Sequence, residues 1–397
     1  MFQAISSNVS VVLAKRLMGG TVILSFGAAA YYRPLARIDS DTNTTNSTTA
    51  QKYNDRHSVN CDCSSSSKID MTIKRKDRTI DPFLSHDLPY VDRNETPALL
   101  SIARALSIGV TTLAIRLFMN TYGEYHIYDD ENYSHFLKLV LGGDGRREQK
   151  HALLTVSNHR SLFDDPGVVS CILPLWIGLQ PKYNRWGICS QEYCFNDELP
   201  ALIKGYIGAG QVLPIHRGGG INQSLFHDFA KILARGEWCH IFPEGGVWQW
   251  KELGGRGRHD VMEKDAHTVK KEKLKWGVGK LIAHHPGKVR IIPFAHVGME
   301  TLLPQDPITR KTYLKKQLFD GNKLKVSIKF GKEIDCQDLI DDFEAKHGKL
   351  WKYGNGHDHF VSTAAEKELY RKITLRIEDH LEGLTRGVVS NSDRIGE

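Results

Sequence analysis

A histidine and an aspartate stand five positions apart in Val156-Ser157-Asn158-His159-Arg160-Ser161-Leu162-Phe163-Asp164-Asp165-Pro166. An imidazole held by a carboxylate is a general base for a hydroxyl. On an α-helix this spacing sets two side chains about 140° apart, so His159 and Asp164 meet only if the backbone between them turns. The flanking text supplies a turn. His151–Ser157 reads as a buried strand, and Asp165-Pro166 reads as a helix N-cap with proline at the first helical position. The pair then lies in a strand-to-helix bend, where functional groups gather. The competing reading is a helix-capping aspartate beside an incidental surface histidine.

Two later turns carry groups of related chemistry. Gly210–Gly220 reads as a strand ending in Arg217 and three glycines. Arginine offers a forked donor for phosphate, and glycine lets a ligand approach the backbone. The plain alternative is a glycine-rich surface turn with a solvated arginine. In Trp238–Gly246 a short apolar strand runs into Pro243-Glu244-Gly245, whose proline and glycine fix the carboxylate in place. Glu244 can accept hydrogen bonds from substrate hydroxyls or pair with Arg217. Alone, this motif carries little.

The elements that must position these turns alternate. Gly123–Tyr128 reads as a strand and Glu131–Leu141 as a helix. Asn222–Ala234 reads as an amphipathic helix closed by Gly236, and Lys275-Trp276-Gly277 opens a helix to about His284. Lys288–Gly298 reads as a strand that leaves the core at Pro293, Leu324–Phe330 as a further strand, and Thr363–Leu384 as a closing amphipathic helix. This alternation makes the class α/β with crossover connections, so a mainly parallel central sheet flanked by helices. His159, Arg217 and Glu244 each follow a strand, at the carboxyl ends where ligands gather in such sheets.

Composition narrows the setting. An apolar share of 41% in 397 residues is enough for a real core. The formal charge is +7, with eleven Lys/Arg against five Asp/Glu in residues 251–290. Basic excess suits an anionic membrane or nucleic acid. No zinc-finger spacing or aromatic RNA-binding signature is present, so an anionic membrane surface is the expected partner and nucleic acid is not. Seven cysteines show neither a disulfide framework nor a CxxC pair, which implies reduced thiols. Residues 1–38 hold four basic residues and no acid, which suits a mitochondrial targeting segment or, as the rival, a signal anchor. Residues 39–90 read as a polar, disordered linker and 91–390 as the folded domain. Ala98–Met119 is apolar but interrupted by Arg104 and Arg116. It reads either as a membrane-interface helix whose arginines snorkel or as a buried core helix. Trp248 and Trp250 beside Lys251 suit the lipid headgroup level.

In order, Asn158-His159-x4-Asp164, Gly210–Arg217, Phe242-Pro243-Glu244-Gly245 and Ile292-Pro293 resemble the four blocks of the glycerolipid acyltransferase family, the lysophosphatidic acid acyltransferases. The likeness runs from about Ala98 to Pro304 and more loosely to the C-terminus. It implies a mixed, mainly parallel α/β fold of that family's kind. It implies His159 as the base that deprotonates a glycerol hydroxyl of a lysophospholipid, with Asp164 orienting the imidazole. It implies Arg217, Glu244 and Gly245 as holders of the phosphoglycerol group, and Pro293 as part of the acyl-donor wall. The text is similar above all to members that move acyl chains from phospholipid to lysophospholipid without free coenzyme A, remodelling cardiolipin in mitochondria.

On that reading no cofactor or metal is needed, the substrates are lipids, and the protein sits peripherally or interfacially anchored on a mitochondrial membrane. Self-association is left open. The alternatives are an acyl-coenzyme-A-dependent lysophospholipid acyltransferase, an N-acylphosphatidylethanolamine-forming enzyme, and a non-catalytic membrane scaffold. A serine hydrolase is disfavoured, because no Gly-x-Ser-x-Gly elbow is present. Three departures stand out. Gly246 replaces the lysine common after the Pro-Glu-Gly turn, His216 precedes Arg217, and Gly254–His267 reads as an insertion.

Overall fold

The computed structural model describes residues 98–128, 130–143, 146, 151–247, 249, 274–306, 312, 323–353 and 361–395. The segments 1–38 and 39–90, the insertion at Gly254–His267, and Trp248 and Trp250 lie outside the described residues.

In chain order the elements are α1 (Ala98–Tyr122), β1 (Gly123–Tyr128), α2 (Asp130–Val140), β2 (Ala152–Ser157), α3 (Val169–Ile172), α4 (Leu175–Gly178) and β3 (Gly187–Ser190). There follow α5 (Gln191–Cys194), α6 (Ala201–Ala209), β4 (Val212–Ile215), α7 (Ser224–Ala234), β5 (Trp238–Ile241) and α8 (Gly277–Ala283). The last are β6 (Val289–Val297), β7 (Leu324–Phe330), α9 (Gln337–His347) and α10 (Ala364–Ile395).

The main sheet runs β1-β7-β6-β2-β5. Its pairings are parallel except β6 with β7, so the sheet is mixed and mainly parallel. A parallel pair, β3 and β4, forms a second sheet. Every residue of β2 is buried, as a central strand covered on both faces requires. Side chains alternate across the sheet. Ala152, Leu154 and Val156 pack with Phe229 of α7, Leu281 of α8 and Tyr370 of α10. Leu153 packs on the other face with Met119 of α1, Phe136 of α2 and Ile172 of α3.

The helix α10 earns its place by an apolar stripe, with Leu369, Tyr370, Ile373, Ile377 and Leu381 all buried. It crosses α8 closely enough that a Cβ at Gly279 would stand 2.2 Å from the Tyr370 carbonyl oxygen. His284, just past α8, closes this junction. Its Nδ1–H donates to the Trp351 carbonyl at 2.8 Å, and Nε2 meets the Tyr370 hydroxyl at 2.5 Å. Burial pushes the His284 imidazole down from 6.5 to about 4. The unfolded chain therefore takes up a proton that the folded chain refuses, and stability falls as pH drops from 6.5 to about 4. The full effect is on the order of 3 kcal/mol. Between pH 7 and 5, urea midpoints are expected to drop more for the native protein than for His284→Gln; equal drops would contradict this role.

The helix α1 divides its two faces differently from either sequence reading. Leu100, Arg104, Ser107, Ile108, Thr112, Ile115 and Met119 are buried. Leu99, Ile102, Leu106, Leu113 and Leu117 are exposed. At about 100° per residue the exposed set falls within an arc of about 60°. The arginines do not snorkel. Arg104 is buried and lies over the Trp186 ring. Arg116 donates to the Leu173 carbonyl and to Tyr125 Oη. The packed face supplies donors for carbonyls that α3 and α4 leave open, Arg116 to Cys171 and Leu173 and Thr112 to Gly178.

The expectation of reduced thiols is also corrected. Cys189 of β3 and Cys194 of α5 form a disulfide, brought together because the chain folds back in one helical turn after the strand. Cys171, Cys239 and Cys336 are free and buried.

Candidate active site

The sheet register assembles the site. Val156 of β2 stands level with Ile241 of β5 on one side and with Pro293 of β6 on the other. Three positions beyond that rung lie His159, Glu244 and His296. Because the three strands are parallel, these residues emerge together at the carboxyl end of the sheet.

His159 Nδ1 lies 2.9 Å from Asp164 Oδ2. The same oxygen accepts the backbone N–H groups of Arg160 at 2.6 Å and Ser161 at 2.8 Å. The carboxylate thus ties the bend that presents it, a local closure that short polar side chains favour. Asp164 is fully buried, and burial alone would raise its carboxyl. The imidazoles of His296 and His159, with the Ser161 N–H, outweigh that and hold it below the usual carboxylate range. With Nδ1–H committed to the carboxylate, Nε2 of His159 is the basic nitrogen. The His159 side chain is 17% exposed, so a substrate hydroxyl can reach it.

Aromatic packing fixes the ring plane. Phe242 stacks on His159 with centroids 4.1 Å apart and planes 16° apart. Beneath them, His240 meets Phe242 edge-on and bonds Thr155 Oγ1 at 2.9 Å. Burial, then the positive charge of Arg185, hold the His240 imidazole far below its usual range, so it is neutral.

Glu244 accepts the His159 N–H at 3.3 Å, joining the second turn to the first. Gly245 follows with φ +70, a conformation that favours glycine, and the Lys275 side chain lies against it. Lys275 is exposed, and its N–H donates to the Pro243 carbonyl at 2.7 Å. Gln249 donates to the Arg160 carbonyl at 2.9 Å and so ties the same bend from outside. Arg160 pairs with Glu300 at 3.2 Å.

Two expectations need correcting. Asp165 does not cap a helix with proline at its first position. The Asp165–Pro166 peptide is cis, Asp165 is extended, and its carboxylate pairs with Arg185. The chain enters α3 through a π-type turn, Asp164–Val168, instead. Pro293 does not mark an exit from the core, because β6 continues to Val297. Strand alternation puts its side chain on the face opposite His296, where it packs beside Gly331 and Leu384 of α10. Arg217 follows β4, on the second sheet. Its guanidinium lies over Tyr193 at 5.4 Å and 3.9 Å from Glu192, with the side chain 47% exposed.

The structure also adds residues that sequence patterns did not single out. Phe242, His240 and His296 surround the His159–Asp164 pair, and Asn158 clamps β6 to the bend. Each lies in a quoted motif, but only the register shows which strand ends are neighbours.

Residues 138–297 match the family model "Acyltransferase". The chain is 29% identical over 240 residues to tafazzin from Drosophila melanogaster, covering 60% of this chain and 53% of that protein. It is 28% identical over 240 residues to N-acylphosphatidylethanolamine synthase from Arabidopsis thaliana, covering 58% of this chain and 76% of that protein. It is 27% identical over 248 residues to taffazin from Dictyostelium discoideum, covering 61% of this chain and 74% of that protein. The match thus spans about half the length of the Drosophila relative. Residues 138–297 thus match an acyltransferase domain, and the chain is similar to tafazzins.

Proposed function

We propose that this chain moves a fatty acyl chain from a phospholipid to a lysophospholipid at a membrane surface. The His159–Asp164 pair at the sheet end carries the reading. His159 Nε2 takes the proton of a lysophospholipid hydroxyl as that oxygen attacks the donor's acyl carbonyl. The tetrahedral intermediate then breaks the donor's ester bond, and the departing glycerol oxygen receives the proton from His159. One new ester forms, one breaks, and the imidazole returns neutral. Asp164 stabilises the cation between these steps. Through its likeness to tafazzins, remodelled cardiolipin is the proposed product and a mitochondrial membrane the proposed location. The Arabidopsis relative is named for N-acylphosphatidylethanolamine synthesis, which supports a runner-up reading with an amine as the acyl acceptor.

Each transfer by this mechanism uses up one lysophospholipid and creates another. In vesicles holding two distinguishable lipids, total lysophospholipid is therefore expected to stay constant while acyl chains exchange. A net fall that requires acyl-coenzyme A would replace this reading with the thioester-dependent one.

The exposed stripe on α1 supports an interfacial position. Leu175 and Trp176 of α4 and Leu202 of α6 are also exposed, on helices that pack against α1. An apolar surface this size marks an interaction site. The helix is long and apolar enough to cross a bilayer, but its other face is packed on protein. Lying in the interface accommodates both faces. Leu106→Asp with Leu113→Asp is expected to weaken vesicle binding at least about tenfold, with little change in Tm. Unchanged flotation with vesicles would contradict this placement.

Arg217, with Glu244 and Gly245, is proposed to hold the phosphoglycerol group. Arg217→Ala is expected to raise KM for lysophospholipid several-fold at unchanged kcat. Normal kinetics would remove Arg217 from the site.

A further inference from the structure

We infer that His296 is a positioning residue for the His159–Asp164 pair, a role that rests on the proposed acyl-transfer chemistry. His296 is fully buried on β6, level with His159 at the sheet end. Its backbone and the Asn158 amide hold each other twice. Asn158 Nδ2 donates to the His296 carbonyl at 2.8 Å, and the His296 N–H donates to Asn158 Oδ1 at 2.9 Å. The ring adds a third tie, with Nε2 3.0 Å from the Asn158 carbonyl oxygen. A carbonyl only accepts, so Nε2 carries the hydrogen.

That Nε2 also lies 3.6 Å from Asp164 Oδ2, the oxygen that holds His159 Nδ1. The N–H edge of His296 thus faces both the peptide leading into His159 and the carboxylate that orients its ring. It fixes the approach of His159 from one side and supports the negative charge of Asp164 from the other. Without it, the Asn158 carbonyl and one side of a buried carboxylate lose their positive neighbour, which is costly where water cannot substitute. His296 is fully buried and acts through Asn158 and Asp164.

The test compares His296→Leu with His296→Gln in the full-length protein. Glutamine keeps an N–H near the Nε2 position, and leucine keeps only volume. His296→Leu is expected to lower kcat about 10- to 100-fold, as loss of a supporting hydrogen bond does in comparable sites, with KM for lysophospholipid unchanged. His296→Gln is expected to recover most of kcat. Equal losses in both variants, or none in either, would overturn the role. A second readout needs no turnover. The proton resonance of His159 Nδ1–H against Asp164 is expected in the native protein and His296→Gln, and lost in a folded His296→Leu. An unchanged resonance in His296→Leu would overturn the proposal even if the transfer reaction itself were not found. If His296→Leu does not fold, Asn158→Asp serves the same test. It removes the Nδ2 donor to the His296 carbonyl, and the resonance is expected to weaken; an unchanged one overturns the proposal.

Discussion

His159→Ala is expected to reduce acyl transfer to background while the protein still folds and binds vesicles. General-base catalysis by a positioned side chain contributes about 10²–10⁴-fold, and the imidazole here is also the proton donor to the leaving oxygen. No other described side chain takes over. His240 is buried and neutral, and His296 Nε2 is spent on Asn158. The fold should tolerate the loss. The bend keeps the Arg160 and Ser161 N–H bonds to Asp164, and the missing ring forfeits one stacking contact with Phe242. Transfer rate, circular dichroism and vesicle flotation measured together check this. Loss of the fold alongside activity would make His159 structural.

Asp164→Asn is expected to have a comparable effect through a different cause. The amide oxygen, in the place of Oδ2, still accepts from His159 Nδ1, Arg160 and Ser161, so the ring keeps its tautomer and loses only the negative charge beside it. Without that charge, the imidazolium formed when Nε2 takes the substrate proton is left unstabilised. In an analogous His–Asp arrangement the same substitution costs about 10⁴-fold. The loss should fall on kcat, with KM little changed, because Asp164 is fully buried. Stability should drop by about 1–3 kcal/mol, since a buried charge-assisted acceptor is weakened. A variant that lost KM instead would show that Asp164 shapes the binding site.

The contrast between these two residues and the others shows what local sequence can convey. His159 and Asp164 were legible because a buried strand, a polar bend and a proline are local signals, and the bend is closed by bonds within six residues. Glu244 was legible as a fixed carboxylate, but its bond to the His159 N–H depends on the pairing of β2 with β5. Pro293 misled because proline lacks a donor and so reads as the point where a strand leaves the core. Here its neighbour β7 begins pairing only at Phe294, and no donor is missed. With the strand read as leaving the core there, His296 had no address. Arg104 and Arg116 misled for a similar reason. An arginine on an apolar helix has two outlets, lipid headgroups or buried carbonyls, and only tertiary packing shows which is near. Arg217 fits its sequence pattern, yet its present partners are Tyr193 and Glu192.

The decisive measurement is acyl transfer with purified protein in vesicles that contain a labelled phospholipid, an unlabelled lysophospholipid and no coenzyme A. The geometry predicts that label appears on the lysophospholipid acceptor with the native protein and not with His159→Ala. Transfer that begins only when acyl-coenzyme A is added, or that continues undiminished in His159→Ala, would contradict it.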